Sequence, residues 1–280
     1  MQVSVDTRDP GQLRLTVNPF AGRSFCEVRR DELIRIVGVL DSVPLADRVL
    51  RLYDLGYALP ERLWLGVAPT RSGAIVKAYV ASYEPILRAW LPRLARDAGW
   101  LPRAMQPTFL VPYERLVPGL ATIEGIGITC HTGAWVGTTV YLRPRLPWHT
   151  YASAATAACL DLGPASAFDG LADLVTGAPR AFGWSLECDT DGALVDLKAE
   201  IAVGSSYVGR GATGYAARYA IDIEAFDRLA HAIASPMPAV LSLRFVDGAL
   251  RSMIAYHDAG YSDVDADVDG GGVRVPVHPG

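Results

Sequence analysis

A turn-like Gly-Ala dipeptide occurs six times in the chain, and four of the copies lie at nearly constant spacing, each between two runs of strand-forming residues. The four copies begin at Gly73, Gly133, Gly192 and Gly248, which are 60, 59 and 56 residues apart. Two such runs joined by a short glycine-containing turn are typical of a β-hairpin, because glycine supplies the positive φ that a tight connection needs. We therefore predict a hairpin at each position, and the regular period predicts a repeated unit.

A fifth hairpin is predicted around Gly22, 51 residues before Gly73, from the run LRLTVNPFAGRSFCEVRR. Between the hairpins the apolar residues change to helical spacing, as in DSVPLADRVLRLYDLG, EPILRAWLPRLARDAG and AIDIEAFDRLAHAIAS. The last of these segments has Asp222 as an N-cap candidate and Leu229 on its apolar stripe. The sequence therefore predicts an α+β fold with about ten antiparallel strands.

A sheet of about ten antiparallel strands would leave two edges exposed, whereas closing the sheet pairs every strand. We therefore predict a closed antiparallel β-barrel of five ααββ repeats, with the helices outside and one face of each strand lining the interior. The barrel is expected to span residues 1–262 as a single domain. The Asp- and Gly-rich end, residues 263–280, is expected to be a solvated tail.

The composition argues against several classes of function. The formal net charge is −4 and the sequence has no run of Lys or Arg, which disfavours nucleic acid or an anionic membrane surface as a partner. No stretch approaches about 18 uninterrupted apolar residues and no signal-peptide pattern is evident, so we expect a soluble, cytoplasmic protein. The four cysteines are scattered without a CxxC pair, so buried reduced thiols are expected. The sequence also has no DDxxD-like motif of the kind that binds a metal.

The strand SGAIVKAYV, residues 72–80, carries two polar side chains on one face. Lys77 and Tyr79 are two positions apart, and side chains at i and i+2 of a strand point the same way. The same alternation, counted from the turn glycine of each predicted hairpin, places further polar residues on the corresponding face. These are Arg30, Thr139, Tyr141, Arg143, Asp196, Lys198, Glu200, Ser252 and Tyr256, and Arg251 joins them if a bulge shifts the register.

Two interpretations of this polar face remain open. Lysine on a strand is often solvated and tyrosine is often a core residue, so the pattern is compatible with a purely structural role. Alternatively, ammonium, guanidinium and phenol groups that converge inside an apolar tube would suit a diphosphate, because they balance its charge and donate hydrogen bonds to its oxygens.

The segment LGVAPTRSGAIVKAYVASYEPILRAW resembles the Lys-x-Tyr strand of aromatic prenyltransferases of the dimethylallyltryptophan synthase type. The hairpin period is similar to the five ααββ repeats of that family's ABBA barrel. The resemblance implies an enzyme of secondary metabolism that moves an allylic prenyl group, such as that of dimethylallyl diphosphate, to an aromatic small molecule or peptide. It also implies that tyrosines shield the allylic cation.

The resemblance further implies which residues hold the diphosphate. Arg23, followed four residues later by Glu27, is similar to the arginine of the family's first hairpin. The matching residues in the later hairpins are Lys77, Tyr79, Tyr141, Lys198 and Tyr256. Arg30, Arg143 and Arg251 are additional diphosphate candidates from the strand alternation.

The sequence departs from the family pattern at several positions, including the first strand, where LRLTVN offers no Glu for an indole nitrogen. Gly137 and Thr139 stand where the family usually has Arg and Lys, and Glu200 stands where a Tyr is expected. No cofactor is firmly implied, but Mg²⁺ could replace the missing cations, because Asp196 and Glu200 are predicted on the same face. Glu27 and Glu200 are the candidates for a catalytic acid or base.

The acceptor and the reaction stay open at this point. Trp64, Thr139 and Trp184 are candidates for the wall against which an aromatic acceptor packs, and Trp135 and Tyr207 are further possibilities. Two alternatives to prenyl transfer remain. One is a barrel of this type repurposed for another reaction on an aromatic or peptide substrate, and the other is a non-catalytic barrel that binds a hydrophobic small molecule.

Overall fold

The computed structural model describes residues 2–17, 30–38, 43–54, 63–81, 121–144, 171–176, 181–191, 194–203, 207–235, 237–246 and 249–258. Its strands are β1 (Gln2–Asp6), β2 (Asp9–Val17), β3 (Leu63–Thr70), β4 (Gly73–Ala81), β5 (Ala121–His131), β6 (Ala134–Pro144), β7 (Ala181–Cys188), β8 (Leu194–Ala202), β9 (Val240–Val246) and β10 (Ala249–Asp258). Its helices are α1 (Arg30–Gly38), α2 (Val43–Asp54), α3 (Gly209–Arg218) and α4 (Glu224–Ala232), with a short 3-10 helix at Leu171–Leu174.

The ten strands form one sheet that closes on itself in the order β1-β10-β9-β8-β7-β6-β5-β4-β3-β2. Strands that follow each other in sequence are therefore neighbours, as expected for a series of hairpins. The predicted closed antiparallel barrel of about ten strands is confirmed. The tail predicted at residues 263–280 lies outside the described residues and stays a prediction.

The turn glycines of two hairpins have the predicted conformation, with φ of 141° at Gly73 and 80° at Gly133. The turn predicted around Gly22 lies outside the described residues and stays a prediction. The run LRLTV lies in β2, and the hairpin of β1 and β2 turns between Asp6 and Asp9. That turn contains no glycine, and the Asp6 carboxylate closes it by accepting a hydrogen bond from the Arg8 backbone N–H at 2.9 Å.

Two of the predicted helical segments form helices. DSVPLADRVLRLYDLG contains α2, and AIDIEAFDRLAHAIAS contains α4. The N-cap of α4 is Ile223 and not the predicted Asp222, although Asp222 Oδ1 accepts a hydrogen bond from the Glu224 N–H at 2.8 Å; Leu229 is buried as expected. EPILRAWLPRLARDAG lies outside the described residues. None of the helices in the described ranges is long and apolar enough to cross a membrane.

The chain divides into two compact units, one centred on Thr16–Arg143 and the other on Asp196–Arg274 together with Met1–Leu15. In the second unit, β8, β9 and β10 pair so that Leu197, Leu243 and Met253 are buried on one face. Helix α4 lies on this apolar side, since Ser235, three residues after its end, contacts His257, which points to the same face as Met253. The side chains between these residues point to the opposite side of the strands, away from α4. We call this side the inner face.

In the unit centred on Thr16–Arg143, the strands likewise have one apolar face towards a helix and an inner face on the opposite side. Ile128 and Cys130 of β5 are buried on the side of α2, which packs against β5. Lys77 of β4 pairs directly opposite Thr129 of β5. Because side chains alternate along a strand, Lys77 and Thr129 lie on the inner face, away from α2.

His257 links β10 to the segment after α4 and predicts a pH dependence of stability. Its Nδ1 lies 3.1 Å from the Ser235 carbonyl oxygen, its side chain is buried, and burial lowers its pKa below 6.5. As the pH falls through the pKa of the unfolded state, the unfolded chain binds a proton that the folded protein does not. The contribution of His257 to the free energy of unfolding is therefore fully present above about pH 6.5 and is lost as the pH falls below that value. We expect urea unfolding midpoints to fall between about pH 7.5 and pH 5 more steeply in the wild type than in His257→Gln. The exposed His231, replaced in the same way, is the matched control, and equal slopes for all three proteins would contradict the prediction.

Candidate functional site

A buried ammonium group between two tyrosine rings is the central feature of the inner face in the unit centred on Thr16–Arg143. Lys77 is 3% exposed, and its Nζ donates a hydrogen bond to Thr139 Oγ1 at 2.5 Å. The same Nζ lies 5.4 Å from the centroid of the Tyr79 ring and 5.7 Å from that of Tyr141. We call these four residues the Lys77 cluster. At such distances an aromatic face attracts a cation.

The rings of Tyr79 and Tyr141 are inclined to each other, and we call this pair the aromatic corner. Their ring centroids are 5.7 Å apart and the ring planes are tilted by 47°. Trp64 of β3 pairs directly opposite Tyr79, so it belongs to the same face and can extend this aromatic surface. The arrangement suits a planar or cationic group that must be kept from water, because the ring faces carry negative electrostatic potential and exclude solvent.

Two glycines on this face make room for the cluster. A Cβ on Gly127 would lie 2.9 Å from Lys77 Cε and 3.4 Å from Tyr141 Cε2. A Cβ on Gly66 would lie 3.2 Å from Tyr79 Cε2. Contacts below about 3.4 Å force a neighbour to move, so both positions require glycine if Lys77 and Tyr79 are to keep their places.

We expect Gly127→Ala to weaken the function of Lys77 with little loss of stability. The added methyl group meets the flexible end of the lysine, which can turn away, so the ammonium moves and the fold does not. Binding of an anionic ligand at Lys77 should weaken about tenfold, by the loss of one charge-assisted contact. Titration calorimetry with an anionic ligand such as inorganic diphosphate measures the affinity, and thermal unfolding measures the stability. Gly214→Ala in α3 is the matched control, since nothing lies within 4 Å of the added atom, and equal ligand affinity in both variants would contradict the prediction.

Trp135 and Thr139 of β6 contact different groups. These residues have the same parity, yet the Trp135 ring lies under Arg48 of α2 at 4.4 Å, while Thr139 contacts Lys77 on the inner face. Gly137 lies between them, and a Cβ there would come within 2.6 Å of a backbone oxygen of β7. A side chain at position 137 would collide with the β7 backbone, so the close approach of β6 and β7 requires glycine there.

A second group of charges lies on the inner face of the other unit. Arg244 Nη2 is 2.6 Å from Asp196 Oδ2, and Arg244 Nη1 is 3.2 Å from Asp6 Oδ2. Lys198 Nζ is 3.5 Å from the same Asp196 oxygen. We call these four residues the Asp196 cluster. The Asp196 carboxylate already balances two cations, and in the described part of the chain no group of three or more His, Cys, Asp or Glu side chains is placed to hold a metal ion.

Comparison with known proteins places this geometry in a recognised fold. No protein-family model and no curated protein matches the sequence. The structure is similar to that of 5-dimethylallyltryptophan synthase from Streptomyces coelicolor in complex with DMASPP and Trp, with a TM-score of 0.68 and 17% identity over 98% of this chain and 82% of the other.

The 6-dimethylallyltryptophan synthase from Micromonospora olivasterospora, also in complex with DMASPP and Trp, matches with a TM-score of 0.66 and 18% identity over 92% of this chain and 80% of the other. AnaPT from Neosartorya fischeri matches at 0.64, with 12% identity over 92% of this chain and 77% of the other. The chain has the dimethylallyltryptophan synthase fold. The resemblance drawn from the hairpin period and the Lys-x-Tyr strand is confirmed at the level of the fold.

Within this synthase fold, the candidate residues occupy different places. Glu200 pairs opposite Ser242 and Tyr256 opposite Ser4, so both lie on the inner face, half-buried. Arg30 is exposed at the start of α1. Arg251 is exposed at a register shift between Leu250 and Ser252, so the bulge exists but the side chain points to solvent.

Several candidates cannot be placed beside the cluster. Arg23 and Glu27 lie outside the described residues, and the side chains of Arg143 and Trp184, on β6 and β7 of the synthase fold, also lie outside the described part. Tyr207 forms an isolated bridge with Val175, and burial raises its pKa to about 12.

Sequence reasoning missed several polar residues on the inner face, and three of them adjoin the two clusters. Thr129 lies opposite Lys77, Arg244 lies opposite Lys198, and Asp6 binds Arg244. Thr129 and Arg244 are on the first strand of their hairpins, whereas the alternation was counted only along the second. Counting both strands from the turn would have found these two residues.

Proposed function

We propose that the protein is an aromatic prenyltransferase, which transfers an allylic prenyl group from its diphosphate to an aromatic acceptor. The observation that carries this proposal is the Lys77 ammonium, buried beside Tyr79 and Tyr141 on the inner face of a barrel with the dimethylallyltryptophan synthase fold. Cation and aromatic faces together meet the two needs of the reaction, a leaving diphosphate and an allylic cation.

In the proposed reaction, the bond between the allylic carbon and the diphosphate oxygen breaks, and its electron pair leaves with the diphosphate. The Lys77 ammonium stabilises the charge that develops on that oxygen, most strongly in a dry, preorganised environment. The faces of Tyr79 and Tyr141 stabilise the allylic cation and exclude water. An aromatic carbon of the acceptor then attacks the cation and loses its proton to a base, for which Glu27 and Glu200 remain the candidates.

The neighbouring structures guide the choice of substrates. Two of them contain DMASPP, an analogue of dimethylallyl diphosphate, together with Trp. We infer that a dimethylallyl donor and an indole-containing acceptor, either a small molecule or a peptide, are the first to test. Trp64, next to Tyr79 across the β3–β4 ladder, is the described residue best placed to stack on such an acceptor.

The charge available for the diphosphate is smaller than the family pattern would supply. Gly137 and Thr139 provide no cation, and in their own unit Lys198 and Arg244 are paired with carboxylates. Each charge-assisted contact to a phosphate contributes about 1.5–3 kcal/mol, so donor binding should be weak unless a cation accompanies the diphosphate. Mg²⁺ bound to the diphosphate oxygens would supply that charge.

We also infer that the protein acts in the cytoplasm and needs neither nucleic acid nor a membrane as a partner. Cys130 and Cys188 are buried free thiols, as expected in a reducing compartment. Burial raises the pKa of Cys188 to about 12, so this thiol is protonated and unreactive at neutral pH.

The test is a transfer assay with the purified protein, dimethylallyl diphosphate and a panel of tryptophan, simple indoles, phenols and tryptophan-containing peptides. Mass spectrometry should detect an acceptor that has gained one prenyl group, and parallel reactions with Mg²⁺ and with a chelator measure the contribution of the ion. If no acceptor is modified and dimethylallyl thiolodiphosphate does not bind under either condition, the proposal fails.

The second candidate function is another reaction on an aromatic or peptide substrate, performed by a barrel of the same fold. It is favoured by Gly137, Thr139 and Glu200, which depart from the diphosphate-binding pattern. A protein that binds indoles or phenols with measurable affinity but does not bind dimethylallyl thiolodiphosphate would support this alternative over prenyl transfer.

A further inference from the structure

The hydroxyl group of Thr129 makes no hydrogen bond to the described residues of the protein. The residue lies directly opposite Lys77 in the β4–β5 ladder, on the inner face, and is 7% exposed. Its Oγ1 is fully buried and has no hydrogen-bond partner among the described residues. A buried hydroxyl without a partner destabilises a protein, because it gives up its hydrogen bonds to water. This position therefore calls for a ligand atom that the hydroxyl can bind.

The neighbourhood of this hydroxyl supplies hydrogen-bond donors. Directly opposed side chains in an antiparallel ladder have Cβ atoms about 4.5–5.5 Å apart, so Thr129 lies next to the lysine stem. The Lys77 ammonium has only donors, and a threonine hydroxyl can donate its proton as well as accept one. Thr139 accepts a hydrogen bond from Lys77 and can donate its own proton elsewhere. A ligand group that binds the Thr129 hydroxyl beside this ammonium must therefore be rich in acceptors.

We propose that Thr129 and Lys77 form an oxyanion-binding subsite, with Thr139 holding the ammonium in position, and that the oxyanion is the diphosphate of the prenyl donor. The assignment rests on the proposed prenyl transfer and adds a residue to the donor site. Neutral hydroxyl donors fit the departure of this chain from the family pattern, since a hydroxyl can bind a phosphate oxygen where a second lysine is missing. An acceptor carboxylate has the same chemistry, so the experiment must separate the two sources.

The experiment compares the wild type with Thr129→Val and Thr129→Ser by titration calorimetry. The probes are inorganic diphosphate, dimethylallyl thiolodiphosphate and tryptophan. Valine has nearly the same shape as threonine but no hydroxyl, so we expect both diphosphates to bind about tenfold more weakly to Thr129→Val. Thr129→Ser keeps the hydroxyl and should bind within about threefold of the wild type. Tryptophan affinity should be unchanged in both variants.

Thermal unfolding of the ligand-free proteins separates binding from packing. Because the hydroxyl has no partner among the described residues, Thr129→Val should unfold at the same temperature as the wild type or higher. Equal diphosphate affinity in the wild type and Thr129→Val would overturn the assignment. So would a weakened affinity that is shared by Thr129→Ser and accompanied by a lower unfolding temperature, since that result indicates a packing role.

The remaining outcomes distinguish this inference from the proposed function. A wild type that binds no diphosphate overturns the subsite even if prenyl transfer is detected. A loss confined to tryptophan binding assigns Thr129 to the acceptor and likewise overturns the diphosphate assignment. Hydroxyl-dependent binding of diphosphate in a protein that prenylates no acceptor supports the subsite, while the proposed prenyl transfer fails.

Discussion

Replacement of Lys77 by methionine is expected to lower kcat/KM for the prenyl donor by about 100-fold or more, the effect of removing one preorganised charge from the developing anion. Methionine has a similar length and fills the space beside Gly127 and the two tyrosine rings, so the aromatic corner should keep its geometry. The loss should fall on donor binding and on turnover, because in the proposed reaction the ammonium binds the diphosphate both before and after the carbon–oxygen bond breaks. Steady-state kinetics at saturating acceptor measure both parameters.

The structure changes what this substitution should do to stability. The ammonium is 3% exposed and hydrogen-bonded to Thr139, so it is not a solvated side chain in an open chamber. Methionine loses that hydrogen bond but also removes the cost of burying a charge, and the thermal midpoint should therefore change by only a few degrees. Arg228→Met in α4, where the side chain is 56% exposed, controls for the loss of a positive charge. A Lys77→Met protein with wild-type kcat/KM would remove Lys77 from the donor site.

Asp196→Asn is expected to destabilise the protein by about 3 kcal/mol or more, since removing one member of a buried ion pair leaves its partner's charge uncompensated. The Asp196 side chain is 2% exposed and that of Arg244 is 14% exposed. Asp6 can still bind Arg244 at 3.2 Å, which limits the loss to the lower part of the usual range. Urea unfolding at neutral pH measures the free energy directly.

An exposed pair provides the matched comparison for this prediction. Arg218 and Asp173 are 2.6 Å apart, as are Arg244 and Asp196, but their side chains are 55% and 49% exposed. Asp173→Asn should therefore cost at most about 1 kcal/mol. Equal losses at the two positions would show that burial does not determine the strength of the Asp196 cluster. The double variant Asp196→Asn with Arg244→Met should lose less than the sum of the two single changes.

The architecture of the barrel follows from local features of the sequence. Gly73 and Gly133 supply positive φ at turns between strand-forming runs, and this conformation depends on the residue itself. Repetition of such hairpins predicts many antiparallel strands, and the cost of exposed edges predicts their closure. The common face of Lys77 and Tyr79 also follows from the sequence, because the alternation of side chains along a regular strand needs no information from neighbouring strands.

The tertiary structure decided the features that depend on a neighbouring strand. The first hairpin turns without glycine through the Asp6 side chain, and the register shift between Leu250 and Ser252 leaves Arg251 exposed. The partners of the buried charges also come from distant parts of the chain, since Asp6 and Arg244 are 238 residues apart. Alternation within one strand carries no record of a bulge or of which side chain lies across the ladder. Those depend on the register between strands, which is fixed only when the sheet closes and its inner side chains pack together.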